Sequence, residues 1–365
     1  MPEQAMPPTV NTLPARELFH LVWAFERGID PPDELLYPLP VAVVEDYRST
    51  VAAPGGLPVN FPLIVIVVGD GLGFGAGNGL YDLALTEGGA SPEAPWVRVD
   101  RFEAAIDKIA ATVANAPVAA ATFIQLLRCA AGLSLDQGLA LESLAYSTLQ
   151  AGAEHADWLR RRQTASPPPA LSDSGGEPPV EVTRSDATLI VELNRPRVHN
   201  AYNAAMRDAL CEVLSLAAVD TSSSLELRGR GESFCSGGDL SEFGSCRDPA
   251  AANLIRTRRS PARLLAAMSS RTRAVVHGYC AGSGMELAVF ASSVVAKGEV
   301  TMWLPEISMG LIPGAGGTVS IPRRVGRGRA AWLGLSAERI GTSTVIAWGI
   351  ADGWVPGDRS AIGSL

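Results

Sequence analysis

The stretch TASPPPALSDSGGEPPVE (residues 164–181) concentrates proline, serine and glycine and carries no apolar period. Such a segment supplies neither a helix face nor a strand face, so it reads as a linker. The residues after it constrain the fold most. Over residues 182–365, strand-like runs (ATLIVEL, SLELRG, AVVHG, SVVAKG) alternate with helical stretches (NAAMRDALCEVLSLAAV, GMELAVFA). That alternation predicts an α/β arrangement in which helices cross between strands.

The part before the linker reads differently. In residues 101–163, Ala105, Ile109 and Val113, then Phe123, Leu126 and Leu127, recur at a spacing of three to four and predict buried helix faces. Residues 1–100 hold many prolines and glycines with only short strand-like runs, an irregular region whose fold stays unassigned.

Within them, LIVIVVGDGLGFGAGNGL (residues 63–80) resembles a dinucleotide-binding turn, with Gly71, Gly73 and Ala76 as G-x-G-x-x-A and Asp100 as the ribose-binding acid. The reading fails on two counts. Ala76-Gly77-Asn78-Gly79 starts a helix poorly, and Asp100 lies beyond the usual spacing of about 20 residues. The cluster reads as a loop outside any catalytic core.

Composition excludes several classes. At 365 residues and 47% hydrophobic the chain can bury a large core, yet no run approaches the ~18 apolar residues of a membrane span. The N-terminus lacks the basic start and apolar centre of a secretory signal. Five cysteines without C-x-x-C spacing read as reduced thiols of a cytoplasmic protein, with no disulfide framework and no metal site. A formal charge of −8 argues against nucleic acid. Two basic runs, IRTRRSPAR (residues 255–263) and IPRRVGRGRA (residues 321–330), read either as solvated helix faces or as a site for a phosphate-bearing ligand.

Three stretches carry candidate chemistry. SFCSGGDL (residues 233–240) and VVHGYCAGSGMELAVFA (residues 275–291) each leave a strand through glycines, where backbone N–H groups become free to donate. Two such donors converging on one point would make an oxyanion hole. LPEISMGLIPGAGGTVSIPRRVG (residues 304–326) adds Glu306, and the helix after AGSG adds Glu286. A glutamate buried beside an apolar pocket has its pKa raised, which suits proton transfer near neutrality. Cys235 and Cys280 flank the candidate site without a histidine in a matching motif and read as packing residues. His199 precedes Asn200, which is expected to cap the next helix.

Taken in order, VELNRPRVHNAYNAAM, SFCSGGDL, HGYCAGSGMELA, LPEISMGLIPGAGGT and GIADGWV resemble the crotonase, or enoyl-CoA hydratase/isomerase, superfamily over about 170 residues. The resemblance implies a ClpP-like spiral ββα core at residues 182–365, with a mostly helical N-terminal region added. It implies an oxyanion hole from the amides of Gly238 and Ser283, serine standing where the family usually has glycine. It implies acid/base work by Glu286 and Glu306, and the presence of both favours hydration of a 2-enoyl-CoA. Further substrate or CoA contacts would fall to Arg195, Arg197, Ser236, Asp239, Leu240, Gly282, Pro305 and Gly314, with Asp239 orienting its loop and Trp303 a candidate for the acyl pocket. No metal or redox cofactor is implied, coenzyme A being part of the substrate, and the family assembles as trimers or hexamers.

Relatives of this superfamily also isomerise double bonds, hydrolyse thioesters or act as cofactor-free dioxygenases, and a non-catalytic binding role is a further alternative. The family's closing helices are not found after GIADGWV. Residues 101–163 resemble them, which suggests a circular permutation with residues 164–181 as the new join.

Overall fold

The computed structural model describes residues 10–36, 40–45, 56–71, 79–88, 94–164 and 176–357. Gly73, Ala76 and most of the linker lie outside the described residues.

The described residues between 10 and 98, whose fold the sequence left unassigned, build a parallel sheet. Strands β1 (Asn11–Thr12), β2 (Val41–Val44), β3 (Ile64–Gly69), β4 (Leu83–Thr86) and β5 (Trp96–Arg98) pair side by side in sequence order, every neighbour parallel. Helix α1 (Ala15–Phe25) and the short α2 (Asp33–Leu36) connect β1 to β2. The IVIVV run is the central strand of this sheet. Its uninterrupted apolar character follows from burial on both faces.

The two faces separate by parity. Val41, Val43, Ile64, Ile66, Leu83, Leu85 and Val97 enter the main core. Ala42, Val44, Val65, Val67, Ala84 and Trp96 enter a smaller cluster with Leu18 and Val22 of α1. The added N-terminal region thus sets a small parallel sheet with α1 and α2 ahead of a wholly helical second half.

That half comprises α3 (Phe102–Asn115), α4 (Pro117–Cys129), α5 (Leu135–Gln150) and α6 (Ala153–Thr164). Ala105, Ile109, Val113, Phe123, Leu126 and Leu127 are all buried, as their spacing predicts. Helix α5 begins at a capping box in which Ser134 and Gln137 satisfy each other's backbone N–H. This fixes the start of the helix, and with it the face on which Leu139, Glu142, Ser143 and Tyr146 fall together at helical spacing.

After the linker, β6 (Val180–Ser185) and β7 (Thr188–Leu193) form a hairpin. Then come α7 (Ala204–Val219), β8 (Ser224–Gly229), α8 (Pro249–Arg258), α9 (Pro261–Ala267), β9 (Thr272–Ala281), α10 (Ser283–Ala288) and β10 (Ser293–Trp303). Helices α11 (Gly317–Val325) and α12 (Arg327–Ser336), strand β11 (Ile340–Gly341), helix α13 (Thr342–Ala347) and strand β12 (Gly353–Val355) complete the order. Strands β7 to β10 pair in parallel, the expected α/β arrangement. Strand β10 also carries β12 in parallel and β11 antiparallel.

The α7 cap differs from expectation. Asn203, not Asn200, accepts from the Met206 amide as N-cap. Asn200 is fully buried with φ 54° and donates to the carbonyls of Arg230, Ser233 and Phe234. The helix starts where its apolar period begins, and Asn200 instead closes the preceding loop.

The helical region packs on this core. Helix α12 lies against α3, α4, β4 and β5, and α5 lies against α8 and α11. Among the described residues no single helix is long and apolar enough to cross a membrane.

Candidate active site

The site forms where two glycine turns are stitched together. Residue 235 pairs with β9: Cys235 N donates to Tyr279 O at 3.1 Å, and Ala281 N donates to Cys235 O at 3.0 Å. Gly237, at φ +101°, lies against the Ala281 carbonyl and Gly282. On the other side Tyr202 N donates to Gly237 O and Asp239 N to Tyr202 O, so the intervening Gly238 amide is left over. Ser283 opens α10, and its amide has no residue four places back within the helix to bond. Neither amide donates to an acceptor among the described residues.

Two glutamates face this junction. Glu286, on α10, is 2% exposed, and its Oε2 accepts from the amides of Ala315 at 2.7 Å and Gly317 at 2.8 Å. Glu306 begins the short 3-10 turn after β10, and its Oε2 is buried without a partner among the described residues. Burial is the main force on both carboxyls. It pushes Glu306 up to about 8, and together with repulsion from Glu306 and Glu142 it drives Glu286 well above the usual carboxylate range.

Gly282 separates the two turns with φ +44°, and a Cβ there would overlap Glu306 Oε1. Only glycine satisfies both conditions.

A third glutamate arrives from α5. Glu142 is 2% exposed; its Oε1 accepts from Gly316 N at 2.7 Å, and its Oε2 accepts from the amide and hydroxyl of Thr318 at 2.9 and 2.7 Å. Burial raises it to about 7 against the opposing pull of these bonds. Sequence reasoning passed over it, although it ends the stretch LSLDQGLALE (residues 133–142) within the helices that resemble the family's closing ones.

A cavity of about 770 Å³ opens over the junction. Gly238, Asp239, Ser283, Glu286, Glu306 and Gly314 line it from the core, and Leu139, Glu142, Tyr146 and His155 line it from α5 and α6. Gly314 is required there, since a Cβ would run into the Tyr146 ring. His155 stacks on Trp158, and its Nδ1 lies 2.9 Å from the Met309 carbonyl oxygen. No local motif marked it.

Arg195, Arg197, Ser236, Leu240, Gly282, Pro305 and Trp303 are not on the cavity wall. Arg195 is 6% exposed, pairs with Asp239 at 2.9 Å and donates to the Ala201 carbonyl, so it braces the glycine turn from behind. This agrees with an orienting role for Asp239. Trp303 packs edge-on to Tyr279, with Arg339 over its face. Cys235 and Cys280 are buried, with Cys235 raised to about 11 by burial and Cys280 also well raised.

The two basic runs part company. Arg256, Arg259 and Arg263 of the first line the cavity, together with Arg207. In the second, Arg323, Arg324 and Arg327 donate to backbone carbonyls, and Arg329 lies buried over Trp348.

Residues 183–360 match the family model described as enoyl-CoA hydratase/isomerase. The 2,3-dehydroadipyl-CoA hydratase of Escherichia coli (strain K12) is 37% identical over 178 residues, which are 48% of this chain and 69% of that one. A mevalonyl-coenzyme A hydratase of Beauveria bassiana is 29% identical, over 53% of this chain and 71% of its own. The crystal structure of an enoyl-CoA hydratase from Thermoplasma volcanium overlaps 49% of this chain and 72% of its own, at 31% identity and a TM-score of 0.46.

Proposed function

The chain belongs to the enoyl-CoA hydratase/isomerase family, whose reactions are those of acyl-CoA thioesters, and from that premise we propose that it hydrates a 2-enoyl-CoA to the 3-hydroxyacyl-CoA. The observation that carries the proposal is the meeting of Glu286, Glu306 and the unengaged amides of Gly238 and Ser283 on one cavity wall.

The thioester oxygen accepts from the Gly238 and Ser283 amides, which stabilise the enolate by about 3–4 kcal/mol per donor. Although burial and like charge raise Glu286 well above the usual carboxylate range, its two backbone donors make it the base of the singly ionised pair, and it takes a proton from water as the water oxygen bonds to C3. The C2–C3 π electrons move toward the thioester. Glu306, protonated below about pH 8, gives its proton to C2. The two carboxyls titrate as a pair, and the cycle ends with the proton taken by one returned to the other. No metal or redox cofactor is required by these steps. The cavity arginines, in place of Arg195, are assigned to the phosphates of coenzyme A.

We further read α3 to α6 as the family's closing helices carried ahead of the core, a circular permutation. Its support is that α5 and α6 wall the cavity. Assembly as a trimer or hexamer belongs to the same reading.

Purified protein with crotonyl-CoA tests the proposal. Hydration removes the enoyl-thioester absorbance and adds the mass of one water. An isomer of unchanged mass, release of free CoA or uptake of dioxygen would replace it with the corresponding superfamily reaction. Activity retained in both Glu286→Gln and Glu306→Gln would overturn the mechanism.

A further inference from the structure

We propose that Glu142, on α5, is a positioning residue for Glu286, because the two carboxylates hold alternate amides of one short turn. Glu286 takes the N–H groups of residues 315 and 317, and Glu142 takes those of residues 316 and 318. The Thr318 hydroxyl adds a fifth bond, to Glu142. Four consecutive donors are thereby consumed by two acids from opposite sides, and neither acid can release the turn without disturbing the other's donors. The turn leads from a loop into the first residues of α11, with Gly316 at φ +105°.

The geometry makes α5 part of the acid/base apparatus although it lies outside the residues matched to the family. Its kinetic readout rests on the hydratase reading; its structural readout does not.

Glutamine at position 142 offers one acceptor oxygen, and its amide would face a backbone N–H donor to donor. The turn then loses its hold at residue 316 or residue 318. The amides of Ala315 and Gly317 drift from Glu286, whose carboxylate loses its stabilising donors, so its titration moves to higher pH. Removal of the Glu142 charge alone acts in the opposite sense, since that charge disfavours ionisation of Glu286. The sign of the shift therefore separates positioning from plain electrostatics. The other groups that bear on the two acids are Glu306, Tyr146 on α5, Tyr202 before α7, Cys235 after β8 and Arg256 on α8.

The experiment follows the Glu286 carboxyl stretch by infrared difference against Glu286→Gln, across pH and without substrate, in the wild-type and Glu142→Gln backgrounds. The expected result is an upward shift of about one pH unit, with a smaller upward shift in Thr318→Val, which removes one donor and keeps both acids. Thr318→Val alone decides the matter if Glu142→Gln does not fold. An unmoved or lowered titration overturns the proposal. With active wild-type enzyme, kcat is expected to fall about 100-fold in Glu142→Gln while KM stays within about twofold, and an unchanged kcat also overturns it. Wild-type protein without turnover would remove the hydratase reading and leave the infrared result to decide.

Discussion

Arg128 grips Asp82 through two parallel hydrogen bonds, Nε to Oδ1 at 2.8 Å and Nη2 to Oδ2 at 2.6 Å, with both side chains 1% exposed. Arg128 also donates to the carbonyls of Phe61 and Leu63, and Asp82 accepts from Val65 N at 3.0 Å. The pair thus pins the last turn of α4 to the edges of β3 and β4. Truncation of one partner leaves the other buried and charged, so Asp82→Ala is expected to lower unfolding stability by about 3–5 kcal/mol. Denaturant titration checks this. Asp82→Leu combined with Arg128→Met should recover part of the loss and not all, since the two carbonyls stay unpaired.

Gly282→Ala should lower turnover by about 100-fold or more. The new methyl must occupy the place of Glu306 Oε1, on a backbone at φ +44°. Displacement of an acid by about 1 Å costs on the order of 100-fold in rate. Steady-state kinetics with an enoyl-CoA reads the effect, and a variant within about threefold of wild type would contradict the placement of Glu306.

Glu306→Gln should trade activity for stability. The Glu306 carboxyl is raised by burial to about 8 in the folded chain, against an ordinary value of 4.5. A group shifted upward gives its full stabilisation below the lower value and loses it as pH rises through the higher one. Wild type is therefore expected to weaken between pH 4.5 and 8, and the glutamine variant to escape that loss. At about pH 9 the variant should be more stable by up to about 5 kcal/mol, with the gap closing below pH 4.5. Thermal unfolding across that range measures it.

Arg259→Ala with Arg263→Ala should raise KM for a CoA thioester about tenfold, the scale of one or two charge-assisted hydrogen bonds. The same enoyl group on N-acetylcysteamine, which carries no phosphate, should show little change. Equal losses on both thioesters would remove these arginines from nucleotide recognition.

Much of the core was legible because its chemistry is local. Gly238, Ser283, Glu286 and Glu306 sit in short strand–turn motifs whose neighbours in sequence are their neighbours in space. The sheet of residues 10–98 was not, because a strand buried on both faces shows no alternation, and proline and glycine between strands look the same in a loop and in a sheet connection. Glu142, Tyr146 and His155 escaped for a different reason. Their partners lie far along the chain, as with Glu142 and Gly316 at a separation of 174. Arg195 was placed on the ligand by the family resemblance of its N-R-P stretch. Its partner is Asp239, on the far side of α7 and β8 in the chain.

The same separation bears on how the chain is made. Helix α5 leaves the ribosome before the residues it will cover: its first partner on the cavity side is α8, and Glu142 waits longer, until α11 has been synthesised. At about 5–20 residues per second, that interval lasts on the order of ten seconds or more. During translation the apolar faces of α3 and α4 can meet the already complete sheet of β1 to β5, whose core residues they share. The N-terminal sheet thereby acts as a nursery for helices whose working partner has yet to be built.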